Sequence, residues 1–205
     1  MKRVLVATHN PGKVREFAEA LESTGLEVMG LDILGDVPDV EETGETFEAN
    51  ARLKAEAYSS LTELPVLADD SGIEVDALGG DPGVRSARWG GPDLDDKGRC
   101  RLLLEKIADV EEPEKRSARF RCVLAFAHRG KTLAIFEGVV EGHLLTEPRG
   151  ENGFGYDPIF FHPPSGRTTA QLTTAEKQKV SHRGKAIEAF LEAVRAGDPQ
   201  LAGIG

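Results

Sequence analysis

The feature that most restricts this fold is a pair of long strand-like runs mid-chain, residues 120–127 and 132–144, joined at Arg129-Gly130. Two such runs around a short glycine-containing turn read as a β-hairpin. On either side of it, short apolar runs are separated by helical periods. Residues 2–7 (KRVLVA) read as a first strand. Val14, Phe17, Ala18 and Leu21 then fall at i, i+3, i+4 and i+7 of a helix, with Gly25 as its stop. Residues 26–31 suggest a second strand, and Phe47, Ala51, Ala55 and Tyr58 mark one face of a second helix. Residues 65–68 form a short apolar strand that ends abruptly at Asp69-Asp70-Ser71-Gly72. Leu102, Leu103 and Ile107 belong to a third helix and residues 159–161 to another short strand. Ala186, Ile187, Phe190, Leu191 and Val194 share a face of the last helix, and Thr173 and Glu176 have capping-box spacing. Helices and strands interleaved around a central hairpin predict an α/β fold with a mixed sheet, not a parallel one.

A chain of 205 residues can bury one sizeable core, as a single unit or as one unit with two lobes. Residues 1–196 are expected to form that domain, and residues 197–205 a frayed tail. The apolar run at residues 4–7 is too short for a signal-peptide core, and no stretch approaches the roughly 20 apolar residues that span a bilayer. No membrane association is expected. Cys100 and Cys122 form neither a CxxC motif nor a disulfide framework, which predicts reduced thiols and a cytoplasmic location. A formal charge of -10 argues against a nucleic-acid surface, which needs a basic stripe. It leaves room for a small polyphosphate, held by a few local cations and a metal ion.

Four clusters have the residue types for such chemistry. Thr8-His9-Asn10-Pro11-Gly12-Lys13 lies between a strand and a helix, where a helix start offers backbone N–H groups to phosphate and Lys13 adds a full charge. The Walker pattern is absent, and from these residues alone an ordinary strand-to-helix turn is the better reading. The acids Glu41, Glu42, Glu45, Asp69 and Asp70 suit magnesium, which takes one or two carboxylates and completes its shell with water and phosphate. A solvated loop for the glutamates and an Asx turn for the aspartates are the plainer readings. Gly153-Phe154-Gly155-Tyr156-Asp157-Pro158 sets glycines around two aromatics, a loop able to wrap a flat ligand or to tuck its rings into a core. Lys177 with Ser181-His182-Arg183 falls between two helical segments, where its donors can meet a phosphate or a base carbonyl.

Taken together and in this order, the clusters resemble the inosine/xanthosine triphosphate pyrophosphatase family, which hydrolyses deaminated purine nucleotides to the monophosphate and pyrophosphate. The likeness runs through the first cluster, Glu41-Glu42-Thr43-Gly44, Asn50-Ala51-x-x-Lys54-Ala55 and Ala68-Asp69-Asp70-Ser71-Gly72. It continues through Pro82-Gly83-Val84-x-Ser86-Ala87-Arg88, the Phe154 loop and Ser181-His182-Arg183, covering roughly residues 3–195. His9 departs from it, standing where bacterial relatives often carry a small residue.

The resemblance implies a long mixed sheet flanked by helices, with two lobes around an active-site cleft, usually in a homodimer. It implies a phosphate grip from Thr8, His9, Asn10, Pro11, Gly12 and Lys13, with Lys54 as a further cation. Glu41 and Asp70 would hold Mg2+, Asp70 would also accept the proton of the attacking water, and Asp69 would support it. Ser71 and Arg88 would touch substrate, while Phe154, Gly155, Tyr156, Asp157, Lys177, His182 and Arg183 would form the nucleoside pocket. ITP, dITP and XTP are the implied substrates, told from ATP by donors facing the carbonyl at purine atom six. A Maf-like pyrophosphatase acting on other nucleotides and a non-catalytic nucleotide binder are the competing readings.

Overall fold

The computed structural model describes residues 2–201. Seven strands form one sheet in the order β2-β1-β3-β4-β5-β6-β7, with helices packed against it. The strands are β1 (Arg3–Val6), β2 (Glu27–Met29), β3 (Val66–Val75), β4 (Ser117–His128), β5 (Lys131–Leu144), β6 (Phe160–His162) and β7 (Arg167–Thr168). β1 pairs in parallel with β2 and β3, whereas β5–β6 and β6–β7 are antiparallel, so the sheet is mixed as expected. β4 and β5 are joined by Arg129 (φ 50°) and Gly130 (φ 73°). Two consecutive left-handed residues are what the favoured two-residue hairpin turn requires.

The helices are α1 (Pro11–Leu21), α2 (Phe47–Ser59), α3 (Asp96–Lys106), α4 (Thr174–Val180) and α5 (His182–Arg195). Their starts follow local chemistry. Asn10 caps α1, Thr46 caps α2 and Asp95 caps α3 through side-chain oxygens that accept backbone N–H groups. The capping box of α4 is complete: Glu176 N–H donates to Thr173 Oγ1 (3.3 Å) and Thr173 N–H to Glu176 Oε2 (2.8 Å).

The chain divides into two compact units. The first comprises Met1–Asp70, Cys122–Gly138 and Arg183–Gly205; the second comprises Ser71–Arg121 and Val139–His182. In the first, Phe17 and Leu21 of α1 and Ala186, Ile187, Phe190 and Leu191 of α5 pack on Val4, Val6, Leu67, Cys122, Leu124 and Phe126 of the strands. Each large side chain buried this way contributes about 1.5–3 kcal/mol. Leu201, 1% exposed at the end of a 3-10 turn (Pro199–Leu201), joins that core. The expected fraying from residue 197 is therefore corrected as far as Leu201; residues 202–205 lie outside the described residues.

In the second unit, Cys100 and Leu103 of α3 and Ile107 just after it pack on Ile73, Val75, Ala118, Phe120, Val140, Leu144 and Phe160. Arg116 is buried there and donates to the carbonyls of Ile107, Val110, Leu144 and Leu145 at 2.9–3.1 Å. A guanidinium can fill that many carbonyl sites at once, which ties the end of α3 to the end of β5. Both cysteines are buried free thiols.

One element differs from the sequence expectation. The strand expected to stop at residue 68 runs on to Val75, so Asp69, Asp70, Ser71 and Gly72 are strand residues and not a turn. The partners of its two acids lie far away in sequence.

Candidate active site

In a strand, neighbouring side chains leave on opposite faces. Asp69 and Asp70 therefore diverge, and adjacency in sequence does not force their charges together. Asp69 turns toward the helices of the first core. Lys13 Nζ lies 3.1 and 3.0 Å from its two carboxylate oxygens, and Arg183 Nε and Nη2 each lie 3.3 Å from Oδ2. Arg183 Nη1 also donates to Glu16 at 2.9 Å, one turn beyond Lys13 on α1. Lys13, Asp69, Arg183 and Glu16 thus alternate in sign along one chain of contacts, buried at Asp69 and Arg183 and half-buried at its ends. Burial alone would raise the Asp69 carboxyl, but Lys13, Arg183 and Lys54 outweigh it and hold the group well below the ordinary carboxylate range. Burial likewise opposes the Arg183 charge, and Asp69 reverses that effect.

Asp70 turns toward α2. Asn50 and Lys54 are four residues apart and so share a face of that helix. Asn50 Nδ2 donates to Asp70 Oδ2 (3.0 Å), while its Oδ1 accepts from the Gly44 N–H (2.7 Å), which fixes the amide's orientation. Lys54 Nζ donates to Glu42 Oε1 (2.6 Å) and stands 3.7 Å from Asp70 Oδ1. Glu42 and Asp70 therefore share the Lys54 ammonium. Burial pushes the Asp70 carboxyl up to about 6 against the pull of Lys54, and the Glu42 and Asp69 charges push the same way. Two neighbouring carboxylates with similar burial thus have opposite electrostatics, one neutralised and one under-compensated.

The segment at residues 8–13 is a capped helix start. Asn10 Oδ1 accepts from the N–H groups of Gly12 (2.8 Å) and Lys13 (3.3 Å), and the Asn10 N–H donates to Thr8 Oγ1 (3.1 Å). The backbone donors expected to face phosphate are engaged by this cap; the Lys13 side chain is the charge brought inward. His9 is exposed and pairs with Asp39 (3.2 Å).

The second unit carries the aromatic loop. Phe154 is 49% exposed, whereas Tyr156 is buried and its hydroxyl donates to Ser86 O (2.8 Å). The Lys177 ammonium lies 4.6 Å over the Phe154 ring and donates to Asp157 Oδ2. Asp157 also accepts from the Phe154 N–H (2.9 Å) and from Thr169 Oγ1 (2.8 Å). Gly153 is left-handed (φ 79°), and a Cβ there would fall 2.1 Å from Asp157 Oδ2. His182 is buried and stacks on Phe120, with centroids 4.9 Å apart and planes 13° from parallel. A cavity of about 890 Å³ opens between α3 and the loop, lined by Asp96, Cys100, Leu104, Pro148, Phe154 and Pro158 among others.

Of the sequence-derived candidates, Lys13, Lys54, Asp69, Asp70 and Arg183 come together in the first unit. Phe154, Gly155, Tyr156, Asp157 and Lys177 come together in the second, which also holds His182. Glu41 is exposed, as is Arg88, and Ser71 is half-buried on β3. Between the adjacent acids Glu41 and Glu42, it is Glu42 that Lys54 draws to the Asp70 side. Asn50 and Glu16 received no role from sequence. The four-residue spacings Asn50–Lys54 and Thr46–Asn50 carried a signal for the first, whereas nothing local marked Glu16. Among the described residues, no group of three or more His, Cys, Asp or Glu is gathered as a metal site, and no helix is long and apolar enough to cross a membrane.

Comparison with known proteins gives consistent findings. The family model for the Ham1 family matches residues 4–193. The dITP/XTP pyrophosphatase of Bacillus subtilis is 47% identical over 196 residues, covering 96% of this chain and 98% of that protein. The dITP/XTP pyrophosphatase of Shigella flexneri is also 47% identical, over 96% of this chain and all of its own length. The solved structure of a HAM1 protein from Coxiella burnetii superposes with a TM-score of 0.89 at 40% identity, covering 96% of this chain and 100% of that one.

Proposed function

The chain belongs to the Ham1 family, and from that premise we propose that it hydrolyses the deaminated purine nucleotides ITP, dITP and XTP to the monophosphate and pyrophosphate. It is a nucleoside-triphosphate pyrophosphatase that cleanses the nucleotide pool. The observation that carries this reading is the divided acid pair on β3, with Asp69 neutralised by Lys13 and Arg183 and Asp70 set against Lys54, Asn50 and Glu42.

The donor set fits magnesium. Asp70 and Glu41 would supply hard oxygen ligands, Glu42 is the adjoining acid paired with Lys54, and one or two carboxylates suffice when phosphate and water complete the shell. When bound, the ion supplies neutralisation of phosphate oxygens whose charge rises as pyrophosphate leaves. The remaining work belongs to the chain. Lys13 and Lys54 hold the phosphates, with Thr8 and the neighbouring residues of the turn around them. Asp70 takes the proton of the water that attacks the α-phosphorus. Asp69, kept ionised by its two cations, fixes Lys13 and Arg183. In the second unit Phe154 offers its exposed ring to the base, steadied by Lys177 and Asp157. His182 and Arg183 donate to a carbonyl at purine atom six and oppose the amino group of adenine. Ser71 and Arg88 complete the substrate contacts, and the same reading takes the protein as a cytoplasmic homodimer.

The test is pyrophosphate release with magnesium from ITP, XTP, ATP, GTP and modified pyrimidine triphosphates. A site built on hydrogen bonds to the carbonyl should favour ITP over ATP by about 100-fold or more in kcat/KM. Equal efficiency with ATP overturns the reading, and preference for a pyrimidine transfers it to the Maf-like class. Arg183→Ala should narrow the ITP-to-ATP ratio; that ratio is the readout, because Arg183 also holds Asp69.

A further inference from the structure

The base-facing loop is held by a helix to which the proposed chemistry assigns nothing. Gly155 lies between Phe154 and Tyr156 in a left-handed conformation (φ 60°). Its N–H donates to Asp96 Oδ2 at 2.7 Å, and its carbonyl accepts from Cys100 Sγ at 3.3 Å. Asp96 and Cys100 are four residues apart on α3 and therefore share one face. α3 thus grips both polar groups of the residue that follows Phe154. Tyr156, on the other side of Gly155, is fixed independently through Ser86.

The loop needs such a hold. Glycines at 150, 153 and 155 all have positive φ, so nothing in its own backbone preference confines it. Asp96 is half-exposed and lies 3.7 Å from Arg99 Nη1, whereas Cys100 is buried among the apolar residues of the second core. Burial pushes the Cys100 thiol up to about 12, so it stays protonated and remains a donor to Gly155. Phe154 lines the cavity of about 890 Å³ beside this contact.

The geometry points to Asp96, seconded by Cys100, as a positioning residue that sets the Phe154 ring at the height and angle for base stacking. This rests on the reading that Phe154 meets the purine. Neither residue is among those proposed to hold phosphate, metal or the attacking water, so their effect belongs in nucleotide affinity and not in the chemical step.

The experiment compares Asp96→Ala, Asp96→Asn, Cys100→Ala and Phe154→Ala by steady-state kinetics with ITP, and by inhibition with inorganic tripolyphosphate, which lacks a base. Asp96→Ala should raise KM for ITP about fivefold, the equivalent of about 1 kcal/mol, with kcat within about twofold and tripolyphosphate inhibition unchanged. Asp96→Asn keeps a carbonyl oxygen for the Gly155 N–H and should restore most of the affinity. Cys100→Ala should give a smaller rise of the same kind, and it carries the test if Asp96→Ala does not fold. A KM rise in Phe154→Ala with none in Asp96→Ala or Cys100→Ala overturns the positioning role alone. An unchanged KM in Phe154→Ala removes the stacking premise and the role with it. Equal weakening of tripolyphosphate in Asp96→Ala also overturns it, by showing a general loss of structure.

Discussion

Asp69 and Asp70 show how much a residue's meaning depends on which way it faces. Both are buried, at 3% and 7% exposure, and they are adjacent in sequence. Asp69→Asn removes the partner of a buried arginine and of Lys13, and breaking a buried pair from one side costs about 3–5 kcal/mol. The amide keeps one acceptor, so a loss near the lower end is expected, read by urea unfolding. Asp70→Asn should behave in the opposite way. In metal-free protein the folded state holds the Asp70 proton more tightly than the unfolded chain does, with a value near 6 against an ordinary 3.8. Its contribution to stability is therefore full below about pH 4, declines as pH rises through about 6, and stays low above that. Asp70→Asn should unfold at the same urea concentration as the parent or a higher one at pH 8, while turnover with magnesium and ITP falls by about 100-fold or more. A destabilised Asp70→Asn would show that the carboxylate is a structural partner of Lys54 first.

At the scale of elements, the helices were legible in sequence because their signals are local: 3.6-residue apolar periods, the Thr173–Glu176 box and the glycine stop. The hairpin was legible too, since Arg129-Gly130 lies between two long runs. β3 was not. Asp-Asp-Ser-Gly has turn composition, yet it lies within an interior strand whose acids meet cations at positions 13, 54 and 183. No window of neighbouring residues contains that information. That Lys54 pairs with Glu42 and not with its neighbour was hidden for the same reason, as it depends on the reach of Lys54 from α2. The aromatic loop lies between these extremes. Its glycines announced an unusual backbone, but the Asp157–Lys177 pair that closes it appears only in three dimensions. Gly153→Ala should therefore be costly twice over. It places a side chain at φ 79°, and its methyl group meets Asp157 Oδ2. Displacement of Asp157 releases Lys177 and the Phe154 N–H together. The expected outcome is a KM for ITP raised about tenfold with kcat less affected, at a stability cost of about 1–3 kcal/mol. An unchanged KM would mean that the loop's shape is set by residues other than Asp157.

At the scale of the molecule, the two compact units each own a core, and the chemistry-bearing residues are apportioned between them: acids and most cations in the first, aromatics and Lys177 in the second. The α/β class and mixed sheet followed from the order of patterns along the chain. Membership of each unit did not, because the first unit takes its last helix from residues more than 100 positions beyond its first strands. The chain end makes the point most sharply. Gly197, Asp198, Pro199 and Gln200 have the composition of a loose tail, yet the Leu201 N–H donates to the Asp198 carbonyl (2.9 Å) and the turn delivers Leu201 into the first core. That core includes Leu67, two residues before Asp69 on the same face of β3, together with Phe17 and Ile187 from the helices that carry Lys13 and Arg183. A cavity at Leu201 thus loosens the support beneath the acid–cation chain without touching it. Leu201→Ala should cost about 2–5 kcal/mol, as buried leucine truncations do. At a temperature where the variant remains folded, kcat should stay within about twofold of the parent, because a packing loss removes no transition-state contact. Thermal unfolding and single-temperature kinetics on the same preparation separate the two effects. A shift in midpoint of less than about 2 °C would show that Leu201 contributes nothing to the core it occupies.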